Sequence, residues 1–137
     1  MSRNIKGITI EIDGETKGLN KALEDVNRRS RDVQRELRQV ERLLKFNPGN
    51  TELVAQKQKL LSEQVQVTRE KLNQLKAAQD EVTEAFKRGE ISEEQYRAFQ
   101  RELVETESKL KHFESQLEKT QSKWDKFGEK AAQAGER

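Results

Sequence analysis

Leu19, Leu23, Val26, Val33, Leu37, Val40 and Leu44 recur at steps of four and three residues, with Ser30 filling the single polar slot in the series. Spacing of this kind draws one apolar line along one side of an α-helix, whereas a half-buried strand needs a period of two. Sustained over nearly four heptads, it is the pattern of a coiled-coil seam. A chain with 38% charged and 31% hydrophobic residues is poor material for a compact globule. Such a composition leaves disorder or long helices with narrow apolar seams, and the spacing decides for helices.

A second seam follows downstream. Tyr96, Phe99, Leu103, Thr106, Leu110, Phe113, Leu117, Thr120, Trp124 and Phe127 hold the same rhythm and carry five of the seven aromatic residues. Large rings suit a narrow parallel dimer poorly, because there each residue faces its own copy. They fit better against small or aliphatic residues of a different helix. The stretch between the two seams is less regular: Val54, Gln58, Leu61, Val65, Thr68, Leu72, Leu75, Gln79, Val82 and Phe86. Leu53, Leu60 and Val67 widen its stripe, which predicts a helix touching two neighbours. Acid-then-base pairs four apart (Glu24/Arg28, Glu41/Lys45, Glu84/Arg88, Glu105/Lys109 and Glu107/Lys111) would each add about 0.2–0.5 kcal/mol on the surface.

Two joints interrupt the helices. Pro48, the only proline, removes a backbone donor and pushes Asn47 out of helical geometry. Gly49 permits a positive φ there, and Asn50 or Thr51 can cap the next helix. At the second joint Gly89 is placed to end a helix, and Ser92 with Gln95 forms a capping-box pattern. Both connections are short enough to join antiparallel neighbours. Asn47, Pro48, Gly49, Asn50, Gly89 and Ser92 are therefore the expected hinge and turn residues. The expected packing seam comprises the apolar members of the Leu19–Leu44 and Tyr96–Phe127 seams, together with Leu61, Val65, Leu72, Leu75, Val82 and Phe86.

Residues 5–13 differ from all that follows. Ile8, Ile10 and Ile12 alternate with Thr9 and Glu11, and Gly14 ends the run. A lone strand needs something to pair with, since each isoleucine left wet forgoes roughly 1.5–3 kcal/mol of burial. The partner is another copy, another protein or residues outside this sequence; otherwise the segment lies on its own helices or frays. On these signals the chain divides into a strand segment at 1–15, helices at 16–47, 51–88 and 92–128, and a truncated or frayed tail at 129–137. The expected fold class is all-α: elongated coiled-coil helices folded into antiparallel hairpins, with one short N-terminal β-strand.

Little here supports chemistry. There is no cysteine, and His112, the only histidine, falls on the flank of a seam beside Lys111. A ligand or general-base role would need a second histidine or an inward carboxylate cluster. No apolar run approaches the roughly 20 residues of a membrane helix. Arg28, Arg29, Arg31, Arg35, Arg38 and Arg42 concentrate base in the first helix, but Asp25, Asp32, Glu36 and Glu41 interleave them and no aromatic joins in. That is a solvated helix face and not a nucleic-acid footprint. Neither enzyme activity, cofactor, metal nor membrane contact is expected.

Taken together, "IKGITIEIDGETKGLNKAL", "LKFNPGNTELVAQKQKLLSEQV" and "AFKRGEISEEQYRAFQREL" resemble the amino-terminal region of phage tail tape measure proteins, those of long-tailed phages and prophages of Gram-positive hosts. The resemblance covers residues 5 to 127, and "NPGNTEL" between two helices is its most specific piece. It implies structural work: several copies of a long helical polypeptide packed in the tail tube, with residue count setting tail length. It further implies a homo-oligomer located in the virion tail, in contact with tail-tube, tail-tip or tail-assembly chaperone proteins. Members of that family usually run to many hundreds of residues, so this chain is expected to be a fragment or a shortened relative. The other reading of the same pattern is a stand-alone coiled-coil adaptor or chaperone-like module.

Overall fold

The computed structural model describes the backbone of residues 3–4, 9–10 and 17–135, and the side chains over 23–122. Three helices account for nearly all of it: α1 (Lys17–Phe46), α2 (Thr51–Lys87) and α3 (Glu93–Gly135). The chain is all-helical apart from one two-residue antiparallel pairing at its start, Arg3–Asn4 against Thr9–Ile10, in register Arg3↔Ile10 and Asn4↔Thr9. Ile8 and Ile12, the other two alternating isoleucines, lie outside the described residues.

Each helix begins and ends for local reasons. The Asn50 side chain accepts the Leu53 backbone N–H at 3.0 Å, which satisfies a donor that has no partner within α2. Glu52 in the first turn of α2, and Glu93 and Glu94 in that of α3, suit the positive end of each helix dipole, while Lys87 suits the negative end of α2. α3 does not stop at residue 128. Its backbone stays helical to Gly135, because "EKAAQAG" offers no proline and two consecutive alanines.

The helices reverse at both joints. Leu23 and Phe99 share a cluster with Leu75, whereas Leu37 and Phe113 share one with Leu61, so α2 runs opposite to α1 and to α3; Arg29–Glu70 and Lys71–Glu102 link it to each. α2 is the shared element, packed along α1 and along α3. Its burial shows two stripes. Val54, Leu61, Val65, Thr68, Leu72, Leu75 and Val82 form one; Leu60, Gln64, Val67, Ala78 and Ala85 form the other. Gln79, placed on the seam by spacing alone, is exposed, because the alanine one position earlier turns inward instead.

The core is divided. Toward the second joint, Phe99 packs with Leu23, Leu75, Ala78, Val82, Ala85 and Ile91, all buried. Here the large ring meets alanines and aliphatics of another helix. Toward the first joint, Leu37, Val40, Leu60 and Leu61 form a second cluster, with Phe113 and Leu117 half-buried against it. Each fully buried leucine or phenylalanine contributes about 1.5–3 kcal/mol. Between the clusters lies a polar layer.

Candidate interaction site: the joints and the polar layer

The polar layer is built where the seam of α1 offers Ser30 and the second stripe of α2 offers Gln64. Gln64 is 1% exposed and donates its side-chain amide to Ser30 Oγ at 2.8 Å and to Thr68 Oγ1 at 3.4 Å. Gln34 donates to the same Ser30 oxygen at 3.1 Å. Thr68 and Thr106, both buried, return their hydroxyls to the carbonyls of Gln64 and Glu102 one turn back, at 2.6 and 2.7 Å. Gln64 Oε1 has no hydrogen-bond partner. A cavity of about 40 Å³ opens beside it, reaching Ser30 on α1, Thr68 and Lys71 on α2, and Thr106 on α3. At its edge Lys71 Nζ meets Glu102 Oε1 at 2.6 Å, with side chains only 18% and 21% exposed.

The first joint is shallow. Asn50 N–H donates to the Asn47 carbonyl at 3.1 Å across Pro48 and Gly49, and Asn47 returns both its backbone and side-chain N–H to Leu43 O. Gly49, although free to take a positive φ, does not. With proline at the second position and this i→i+3 bond, the turn closes at ordinary negative φ, as a type I turn does. All four turn residues are exposed, Phe46 is 80% exposed and Leu43 49%.

The second joint is tied by more bonds, although Arg88, Gly89 and Ser92 face solvent. Gly89 takes φ +74° and donates to Phe86 O, while Glu90 donates to Ala85 O, the paired bonds of a Schellman motif. Ser92 N–H donates to Gln95 Oε1 at 2.9 Å, and Gln95 N–H donates to Ser92 Oγ at 3.1 Å. Ile91 is buried between these bonds, and the rings of Phe86 and Tyr96 stack across the joint with centroids 4.4 Å apart.

The expected seam residues fall as follows. Leu23, Val26, Leu37, Val40, Leu61, Val65, Leu72, Leu75, Val82 and Phe99 are buried; Val33, Leu44, Phe86, Tyr96, Leu103, Leu110, Phe113 and Leu117 are half-buried. The side chains of Leu19, Trp124 and Phe127 lie outside the described residues. Spacing missed Gln64, Ala78, Ala85 and Ile91, the first because it is polar and the alanines because they are small. A 3–4 spacing that admits alanine and glutamine runs from Leu60 through Gln64 to Val67 and resumes at Gln74 and Ala78, along the second stripe.

Surface charges pair differently from simple i, i+4 counting. Glu105–Lys109 forms at 3.2 Å, but Arg28 turns back to Asp25 at 2.8 Å, Glu84 meets Lys87, and Arg88 meets Glu90. The hydrogen bond from the Arg28 guanidinium holds the Asp25 carboxyl below its usual range; desolvation opposes it and Arg29 adds to it. The hydrogen bond to Glu70 raises the Arg29 pKa further still. His112 is exposed, its ring 5.6 Å from that of Phe113. Among the described residues no group of three or more His, Asp or Glu side chains is gathered for a metal, and no helix is long and apolar enough to cross a membrane. No protein family, no curated protein and no solved structure matches the chain.

Proposed function

We propose that this chain is the amino-terminal helical region of a phage tail tape measure protein, acting as a structural part of tail assembly. In this reading its helices work as antiparallel coiled-coil hairpins that associate with further copies, and residue count sets tail length. Its contacts are with tail-tube, tail-tip or tail-assembly chaperone proteins in the virion tail. It carries no catalysis, cofactor, nucleic-acid or membrane role.

One observation supports the reading above the others. The most specific residues of the resemblance, Asn47 to Leu53, form a solvent-facing turn with its own cap between two long helices. A ruler needs length that can be stored and released. The 37 residues of α2 span about 55 Å, whereas all 137 residues laid out as one helix span about 200 Å.

The test is an immunoblot of purified particles with an antibody to this sequence. A polypeptide several times 16.0 kDa that sediments with tails is the expected result. A 16.0 kDa band absent from particles overturns it in favour of a stand-alone coiled-coil adaptor. The exposed Phe46 and Leu43 at the tip of the first joint favour that second reading, since a large exposed ring is a natural anchor for a partner.

A further inference from the structure

We propose that α1 is an exchangeable arm: the bundle opens at Asn47–Asn50 while α2 and α3 stay closed, and the face α1 leaves is taken by α1 of a second copy. The inference rests on the two joints and the polar layer, and stands apart from the tail assignment.

The joints differ in what opening costs. At the first, one bond crosses the turn, from Asn50 N–H to the Asn47 carbonyl, and both groups are exposed, so water replaces it. The Asn50–Leu53 cap belongs to the start of α2 and the Asn47–Leu43 bonds to the end of α1, so each survives when the helices part. No side chain of the turn is buried. Opening the second joint would strip Ile91 of its cover and unstack Phe86 from Tyr96. Arg29–Glu70 and Ser30–Gln64 join the middle of α1 to α2, the first of them at a solvent-facing edge. α2 and α3 share the more enclosed Lys71–Glu102 pair, with Arg69–Glu114 beside it.

The vacated face selects its occupant. It presents Leu60 and Val67 on either side of Gln64, whose buried amide needs an acceptor and finds one in Ser30. An apolar helix from an unrelated partner would leave that amide only its longer contact, 3.4 Å, to Thr68 Oγ1 within α2, a loss that disfavours it. A second copy's α1 brings Ser30 at the correct height with its leucines on both sides. Exchange of an identical element keeps every native contact, which makes it a low-cost route to a dimer.

The experiment uses the full chain, which contains no cysteine of its own. Arg29→Cys and Glu70→Cys are made as separate variants, mixed at high concentration and treated with a short bismaleimide. Exchange joins one chain of each kind into a cross-linked dimer. A matched mixture of Arg69→Cys and Glu114→Cys, spanning the α2–α3 pairing, gives only background. In parallel, Pro48→Ala with Gly49→Ala removes the main obstacle to a helix running through the joint, and is expected to raise the dimer association constant by about tenfold or more by light scattering. Circular dichroism verifies that helix content is kept. Cross-linking at the background of the control mixture, or a double variant that is fully helical yet monomeric at every concentration, overturns the proposal.

Discussion

Gln64→Met isolates the energetics of the polar layer. The wild-type side chain is 1% exposed and leaves its Oε1 without a donor, a burial that costs about 1–3 kcal/mol. Methionine has nearly the same length, is unbranched, and fills irregular space beside a small cavity. What the change gives up is the bond to Ser30 Oγ at 2.8 Å, worth about 0.5–1.5 kcal/mol net, and the longer contact to Thr68. Neither partner is orphaned. Ser30 Oγ still accepts from Gln34, and the Thr68 hydroxyl still donates to the backbone carbonyl at position 64. The balance favours the variant by about 1 kcal/mol. With a urea m-value of about 2 kcal/mol/M, the midpoint of equilibrium unfolding rises by about 0.5 M. A variant whose midpoint falls by that much would refute the reasoning, because it would mean that Oε1 is satisfied through water held in the 40 Å³ cavity.

Further changes separate the two joints. Gly49→Ala meets open space and an ordinary φ, so it raises stability by about 0.4–1 kcal/mol through the unfolded chain, read as a higher urea midpoint. Gly89→Ala at φ +74° lowers it by about 1–2 kcal/mol in the same assay, although nothing would touch the added methyl. Ser92→Ala removes one arm of the capping box and costs about 1 kcal/mol, with fraying confined to the start of α3 by amide exchange. Because the Asp25 pKa is depressed in the folded state, the stability it lends is complete above about pH 4 and is lost as pH falls through the folded value. Asp25→Asn therefore flattens the acid side of a plot of Tm against pH, and high salt shrinks the difference between the two proteins because the group is exposed.

Periodicity made the helices and most of the buried positions legible. Leu23, Leu37, Leu61, Leu75 and Phe99 could be placed because an apolar residue every three or four positions leaves little choice of face. The two-sided character of α2 was also readable, from Leu53, Leu60 and Val67 standing one position ahead of its seam. What escaped were contacts decided by tertiary fit. Ala78 and Ala85 are buried because Phe99 needs room opposite them, a fact of the neighbouring helix and not of α2 itself. Gln64 reads as surface until Ser30 is brought against it. The same holds for ion pairs: Glu24 and Asp25 both lie within a turn of Arg28, which pairs with Asp25. Gly49 is a case of another kind. An Asn-Pro-Gly-Asn run is compatible with a left-handed or an ordinary turn, and Gly49 took the latter.

Three helices, an odd number, have a mechanical consequence. The chain enters this unit at the start of α1 and leaves past the opposite end, at Gly135, because two reversals restore the original direction. Tension on a polypeptide threaded through the bundle therefore pulls α1 and α3 in opposite senses along α2, loading both interfaces in shear. Whole rows of contacts resist at once instead of parting pair by pair from one tip. The layer at Gln64 sits in the middle of those rows, where a single polar mismatch interrupts sliding in either direction. A unit of this kind lengthens late under load: parting one interface alone leaves its ends about one helix span apart, as before, and only when both have yielded do the three helices lie end to end.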